Sequence, residues 1–185
     1  MNAKGTIVGS IDRFVRENFP EGHKNWLGKL PDSSKKIYTG TIMATEWYSM
    51  DAAVVSPTKL IGEMFYGNDT RKAAWESGRH SAKVGLTGIY KVFVLIATPQ
   101  YIIKRGGKIL TSFYDPATMV IAGEHPKGVD VHITEFPASN DVVERRIGGW
   151  MEMALEICGC KNLKIDIRKS MARGDAITEY VINWD

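Results

Sequence analysis

Residues 141–157, DVVERRIGGWMEMALEI, followed by LKIDIR at 163–168 and ITEYVINW at 177–184, decide how this chain reads. Asp141 stands where a helix N-cap belongs, and Glu144 three residues on makes an acidic variant of the capping box. Val143, Ile147, Trp150 or Met151, Ala154 and Ile157 or Cys158 then recur at the three-and-four spacing of a buried helical stripe, until Gly159 supplies a C-cap. Beyond it the period changes to two. Leu163, Ile165 and Ile167 alternate with Lys164, Asp166 and Arg168, and past a turn at Ala172-Arg173-Gly174-Asp175 the residues Tyr180, Ile182 and Trp184 share a face. A lone helix or a lone hairpin cannot bury its apolar face, so the helix must lie on the hairpin.

Moving outward, residues 118–123 and 129–136 alternate in the same way, with Val129, Val131 and Ile133 facing one side and Asp130, His132 and Thr134 the other. The expected fold is therefore α+β, an N-terminal helical layer packed on a four-stranded, mainly antiparallel C-terminal sheet, within a single domain over residues 1–185. Ile7, Ile11, Phe14, Val15 and Phe19 fit one face of a first helix that Pro20-Glu21-Gly22 ends, and a second starts near Pro31-Asp32-Ser33-Ser34. Ser56-Pro57 reads as an N-cap with proline at the first helical position. From Thr70 onward Ala74, Gly78, Ser81 or Ala82, Gly85 and Gly88 form a stripe of small side chains that lets something, most simply another helix, approach the backbone closely. Residues 88–97 (GIYKVFVLIA) are apolar nearly all round; they are read as helix, although length and β-branching leave strand open. Thr98-Pro99 can start a short helix before Lys104-Arg105-Gly106-Gly107 loosens the chain, and Asp115-Pro116 marks a turn.

With 185 residues, 44% hydrophobic and 24% charged, the composition is that of an ordinary globular protein. There is no secretory signal and no run long enough for a membrane span, which points to the cytoplasm. The net charge of +3 is scattered, Arg145-Arg146 and Lys35-Lys36 included, and offers no gathered surface for nucleic acid. No pair among His23, His80, His125 and His132 has a metal-ligand spacing, and Cys158-Gly159-Cys160 lacks a second pair, so no metal site is expected. Phosphate-loop, dinucleotide and nucleophile-elbow motifs are absent, and no catalytic set of residues presents itself.

Lys4-Gly5, Trp47-Tyr48, Gly78-Arg79, Phe113-Tyr114-Asp115-Pro116, Gly149-Trp150 and the terminal Gly174-Asp175 hairpin occur in an order that resembles one superfamily of ligand-binding domains, shared by nitric-oxide signalling and Golgi transport proteins. It contains the 4-vinyl reductase domains, the haem-NO/oxygen-binding domains and the transport-particle subunits, and the chain is most similar to a bacterial family of like length expanded in myxobacteria. The resemblance implies a mixed fold able to enclose an apolar cavity. It also exposes departures. The haem-binding relatives need a proximal histidine and a Tyr-x-Ser-x-Arg motif, neither of which is present, so no cofactor is expected. Where the 4-vinyl reductase domains carry zinc-binding cysteines on the hairpin, this chain has Ser170 and Thr178.

These features lead to the expectation of a non-catalytic sensory or small-molecule-binding domain for an apolar or fatty-acyl ligand in bacterial signalling. The alternative is a dimerising protein-interaction scaffold without a ligand; an enzyme ranks third. Candidate pocket walls are Trp47, Tyr48, Phe93, Phe113, Tyr114, Gly149 and Trp150. Gly148-Gly149 inside a helix cost on the order of 2 kcal/mol of propensity, so either the sheet or a bound molecule should press against them. A homodimer is expected through the stripe at Gly78, Ala82 and Gly85.

Overall fold

The structure, a computed structural model, describes residues 1–87, 99–137 and 139–185. The apolar stretch at 88–97, with Phe93, lies outside the described residues. The first helix, α1 (Gly5–Asn18), buries Ile7, Ile11, Phe14 and Val15 as the spacing predicts. Pro20 ends it but also opens α2 (Pro20–Lys29), where its missing N–H is no loss. Trp26 of α2 is buried and donates its Nε1–H to the Pro57 carbonyl at 3.3 Å. The next helix, α3 (Asp32–Thr39), starts where the sequence places it. A π-helical turn over Asp51–Val55 runs straight into α4 (Ser56–Phe65), so Ser56 is no N-cap: it is already in helical conformation.

Helix α5 (Thr70–Thr87) and helix α7 (Asp141–Ile157) make the largest helix-on-helix contact among the described residues. Between them in sequence, α6 (Pro99–Phe113) runs unbroken through Gly106 and Gly107, which were expected to loosen the chain. The reason is packing: a Cβ on Gly106 would overlap the Met119 side chain, and one on Gly107 would crowd the Met119 carbonyl. The glycines let a strand lie close along the helix.

Three very short strands, β1 (Asn2–Lys4), β2 (Trp47–Ser49) and β3 (Tyr114–Asp115), form an antiparallel sheet in the order β2-β1-β3. The main sheet is β4 (Thr118–His125), β5 (Gly128–Thr134), β6 (Lys164–Lys169) and β7 (Thr178–Asn183), fully antiparallel in the order β4-β5-β7-β6. Val129, Val131 and Ile133 of β5 and Tyr180 and Ile182 of β7 are buried on one face, as their alternation predicts. Helices over a four-stranded antiparallel sheet are the α+β arrangement read from the sequence.

The start of α7 differs by one residue from the expected cap. Asn140 is the N-cap, its Oδ1 accepting the Val142 N–H at 2.9 Å. That frees Glu144 for a different task. Its carboxylate is 2% exposed and accepts hydrogen bonds from Ser139 Oγ at 2.7 Å, Ser170 Oγ at 2.5 Å, Thr178 Oγ1 at 2.6 Å and the Ala172 N–H at 3.1 Å. The Tyr180 hydroxyl donates to the Glu144 carbonyl at 2.8 Å. Helix and hairpin are thus joined by one buried carboxylate, on which Ser170 and Thr178 spend their hydroxyls.

Candidate functional site

An apolar cavity of about 60 Å³ lies between α5, α6, α7 and the main sheet. From α6 it receives Ile102, Ile103, Ile109, Leu110 and Phe113, and from α7 Ile147, Trp150, Met151, Ala154 and Leu155. Met119, Val131 and Ile182 form its floor on β4, β5 and β7, while Ile7 of α1 and Tyr114 of β3 close one side. Each helix contributes because its apolar stripe faces inward at the three-and-four spacing, so the wall follows from helical periodicity.

Three polar side chains interrupt this wall: Ser81, Tyr114 and Arg146. Arg146 is 1% exposed. Its guanidinium donates to Ser77 Oγ and, at 2.8 Å, to Ser10 Oγ, which in turn stands 3.1 Å from Ser81 Oγ. Tyr114 lines the same cavity. Burial pulls the Arg146 pKa down from its ordinary value and pushes that of Tyr114 up. No ion pair among the described residues involves Arg146, and residues 88–98 and 138 contain no Asp or Glu. A buried charge without a counter-ion costs several kcal/mol even after relaxation, so the hydroxyls of α1 and α5 supply only part of what Arg146 loses from water.

Of the candidate wall residues, Phe113, Tyr114 and Trp150 line the cavity. Trp47 and Tyr48 do not. They sit on β2, Trp47 40% exposed with the Lys4 ammonium 4.3 Å from its ring centre, and Tyr48 accepting the Met43 N–H at 2.8 Å. Phe93 lies outside the described residues. Gly149 faces away from the cavity: a Cβ there would overlap the Trp75 carbonyl of α5, and one on Gly148 would meet the Trp75 ring. What compensates the two glycines is therefore α5, neither the sheet nor a bound molecule. The small-residue stripe answers from the other side, since a Cβ on Gly78 would overlap the Arg146 carbonyl and Ala82 is fully buried. Of the three residues expected at a dimer interface, Gly85 alone is exposed.

The wall residue Arg146 is not among the candidates read from the sequence, where it counts only as part of a scattered charge. Its signal was present: position 146 lies three residues after Val143 and four before Trp150, on the buried stripe, where a cation is out of place. The histidines stand elsewhere. His23 pairs with Asp12 at 2.7 Å, His80 with Glu17 at 2.8 Å and His132 with Glu179 at 3.0 Å, while His125 lies over Gly128. Among the described residues no three His, Cys, Asp or Glu side chains gather as a metal site. Burial raises the thiol pKa of Cys158, and that of Cys160 to about 11, so both are protonated at neutral pH.

No family model matches the chain, and no curated protein matches it. Solved structures do. An H-NOX protein from S. oneidensis in the Fe(II)NO ligation state aligns with a TM-score of 0.74 at 12% identity, over 98% of this chain and 99% of that one. The Fe(II) unliganded H-NOX protein from K. algicida aligns with a TM-score of 0.71 at 11% identity, over 98% and 96% of the two chains. The chain has the fold of the H-NOX proteins from β1 to β7; at these identities the likeness is one of fold.

Proposed function

We propose that this protein is a non-catalytic sensory domain that binds a small apolar molecule in the cavity between α5, α6, α7 and the sheet. The observation that supports this reading is the cavity itself, an apolar space between helices and sheet in a fold whose S. oneidensis H-NOX representative is in the Fe(II)NO ligation state. Among the described residues nothing in its wall is set up for acid–base chemistry. Burial moves the Tyr114 pKa further up, away from neutrality, and a guanidinium does not deprotonate in proteins. No helix among the described residues is long and apolar enough to cross a membrane, which accords with a cytoplasmic sensor.

Haem of the H-NOX kind does not fit the residues present. The cavity face of α6 offers Ile102, Ile103, Ile109, Leu110 and Phe113, with no nitrogen or thiolate to hold an iron. Each of the four histidines is placed away from the cavity wall, and the sulfur in that wall comes from the thioethers of Met119 and Met151, which typically supplement a histidine. A volume of about 60 Å³ is also far below the roughly 300–1,000 Å³ of pockets that enclose drug-sized ligands. The ligand proposed is therefore a few atoms in size and binds the protein directly.

Xenon tests the cavity without presuming the natural ligand, since dry apolar cavities take it up. Methyl signals of Ile109 and Leu110 should shift saturably under xenon pressure. Ala154→Leu, which adds a side chain into the same space, should remove the shift while unfolding remains cooperative. If the wild-type methyls do not respond to xenon, the site does not exist as described. Self-association is a separate proposal: with Gly78 and Ala82 engaged by α7, a dimer would have to form around Gly85 or another surface, and sedimentation at tens of micromolar would detect it.

A further inference from the structure

We infer that the cavity takes a small aliphatic carboxylate, its head group paired with Arg146 and its tail lying among Ile109, Leu110, Met151 and Trp150. This rests on the cavity reading above and deepens it by naming the ligand class.

The argument begins with the charge. A buried guanidinium on a residue that lines an apolar space attracts an anion more strongly than one in water, because the local dielectric is low. In this chain no carboxylate satisfies it: Arg146 forms no ion pair, and the residues outside the described set hold no acid. Its hydrogen-bond partners among the described residues are hydroxyls, Ser10 Oγ and Ser77 Oγ, and Tyr114 lines the same cavity. Hydroxyls also accept and donate, so Ser81 and Tyr114, both in the cavity wall, can turn their protons toward an incoming anion. A guanidinium together with rotatable hydroxyls makes a polar corner suited to two carboxylate oxygens.

The rest of the wall selects the tail. Apart from that corner the lining is apolar, so an inorganic anion would satisfy the charge and waste the remainder, whereas an alkyl chain buries its surface there. Size sets the length. At about 60 Å³ the space is smaller than the roughly 150 Å³ cavity that accepts benzene, which limits the tail to a few carbons. The bland alternative is that Arg146 only pins α1 and α5 to α7 through its two serines.

The test is a titration of the wild-type protein, followed by the Ile109 and Leu110 methyl signals, with sodium propionate, n-propanol, sodium phosphate and xenon in separate arms; propionate has fewer heavy atoms than benzene and so respects the size limit. Propionate should bind saturably and at least tenfold more tightly than n-propanol or phosphate. In Arg146→Met its affinity should fall to about that of n-propanol, with xenon still shifting the methyls, since a thioether of similar length replaces the charge without opening a void. Equal affinity for propionate and n-propanol in the wild type overturns the inference with no variant needed, and so does a preference that survives Arg146→Met. Phosphate binding as tightly as propionate overturns it too. If xenon and n-propanol bind but propionate shows no preference, this inference fails and the cavity reading stands; if none of them binds, both fail.

Discussion

Gly149→Val is expected to lower the urea midpoint of unfolding by roughly a third or more. The valine Cβ would overlap the Trp75 carbonyl, and backbone cannot turn aside as a flexible side chain can. To admit the new group α7 must move off α5 along the largest helix contact among the described residues, and that movement also breaks the Trp75 Nε1–H bond to Glu152 (2.8 Å) and the Arg79 fork on Glu152 and Glu156. A loss on the order of 5 kcal/mol is expected, against the roughly 5–15 kcal/mol that holds a typical domain together. Gly78→Leu should be equally damaging, because its side chain would enter the Arg146 carbonyl from the opposite helix. Gly85→Ala is the control. Gly85 is exposed and nothing among the described residues approaches its missing Cβ, so this change should be neutral or stabilise by up to about 1 kcal/mol. Urea unfolding followed by circular dichroism separates the three variants. A Gly149→Val protein with a wild-type midpoint would mean that the two helices are not this close.

What the sequence disclosed, and what it hid, follows from the range over which each signal acts. The stripe of α7 and the alternation of β5 and β7 are local periodicities, so the α+β fold and its antiparallel sheet could be read residue by residue. Strands β1, β2 and β3, of two or three residues, are too short to show a period, and they exist because Ala3 can pair with Tyr48 on one side and Tyr114 on the other. Glycine had an ambiguous meaning throughout. Gly106-Gly107 looked like a helix break and Gly148-Gly149 like a ligand or sheet contact, yet both pairs mark where another element comes close, and which element depends on the whole chain. The site was half legible for the same reason. Phe113, Tyr114 and Trp150 could be nominated as bulky and apolar; Arg146 could be found only by asking why a cation occupies a stripe position. Trp47 and Tyr48 misled because aromatic size says nothing about which cavity, if any, a residue faces.

Glu144→Ala should destabilise the fold by about 4 kcal/mol, the largest effect expected after the two glycine changes in the contact of α5 with α7. The carboxylate is the shared acceptor for Ser139, Ser170, Thr178 and the Ala172 N–H, and Ser170 and Thr178 are each 1% exposed. Truncation leaves these donors facing a void. An unsatisfied buried donor costs about 1–3 kcal/mol, and hydrogen bonds to a charged acceptor are the stronger kind. Glu144→Gln discriminates between the network and simple space-filling, since it keeps the volume. Its amide oxygen can still serve the three donors that meet Oε1, and its NH₂ can donate to Ser170 if that hydroxyl turns round, so the cost should drop to about 1–2 kcal/mol, chiefly the lost charge assistance. The loss should appear first where helix meets hairpin: amide exchange at Ala172 and Tyr180 should accelerate in Glu144→Ala before that of β4 does. If Ala and Gln cost the same, or if Ala172 keeps its protection in the alanine variant, the carboxylate is not what fastens α7 to the terminal hairpin.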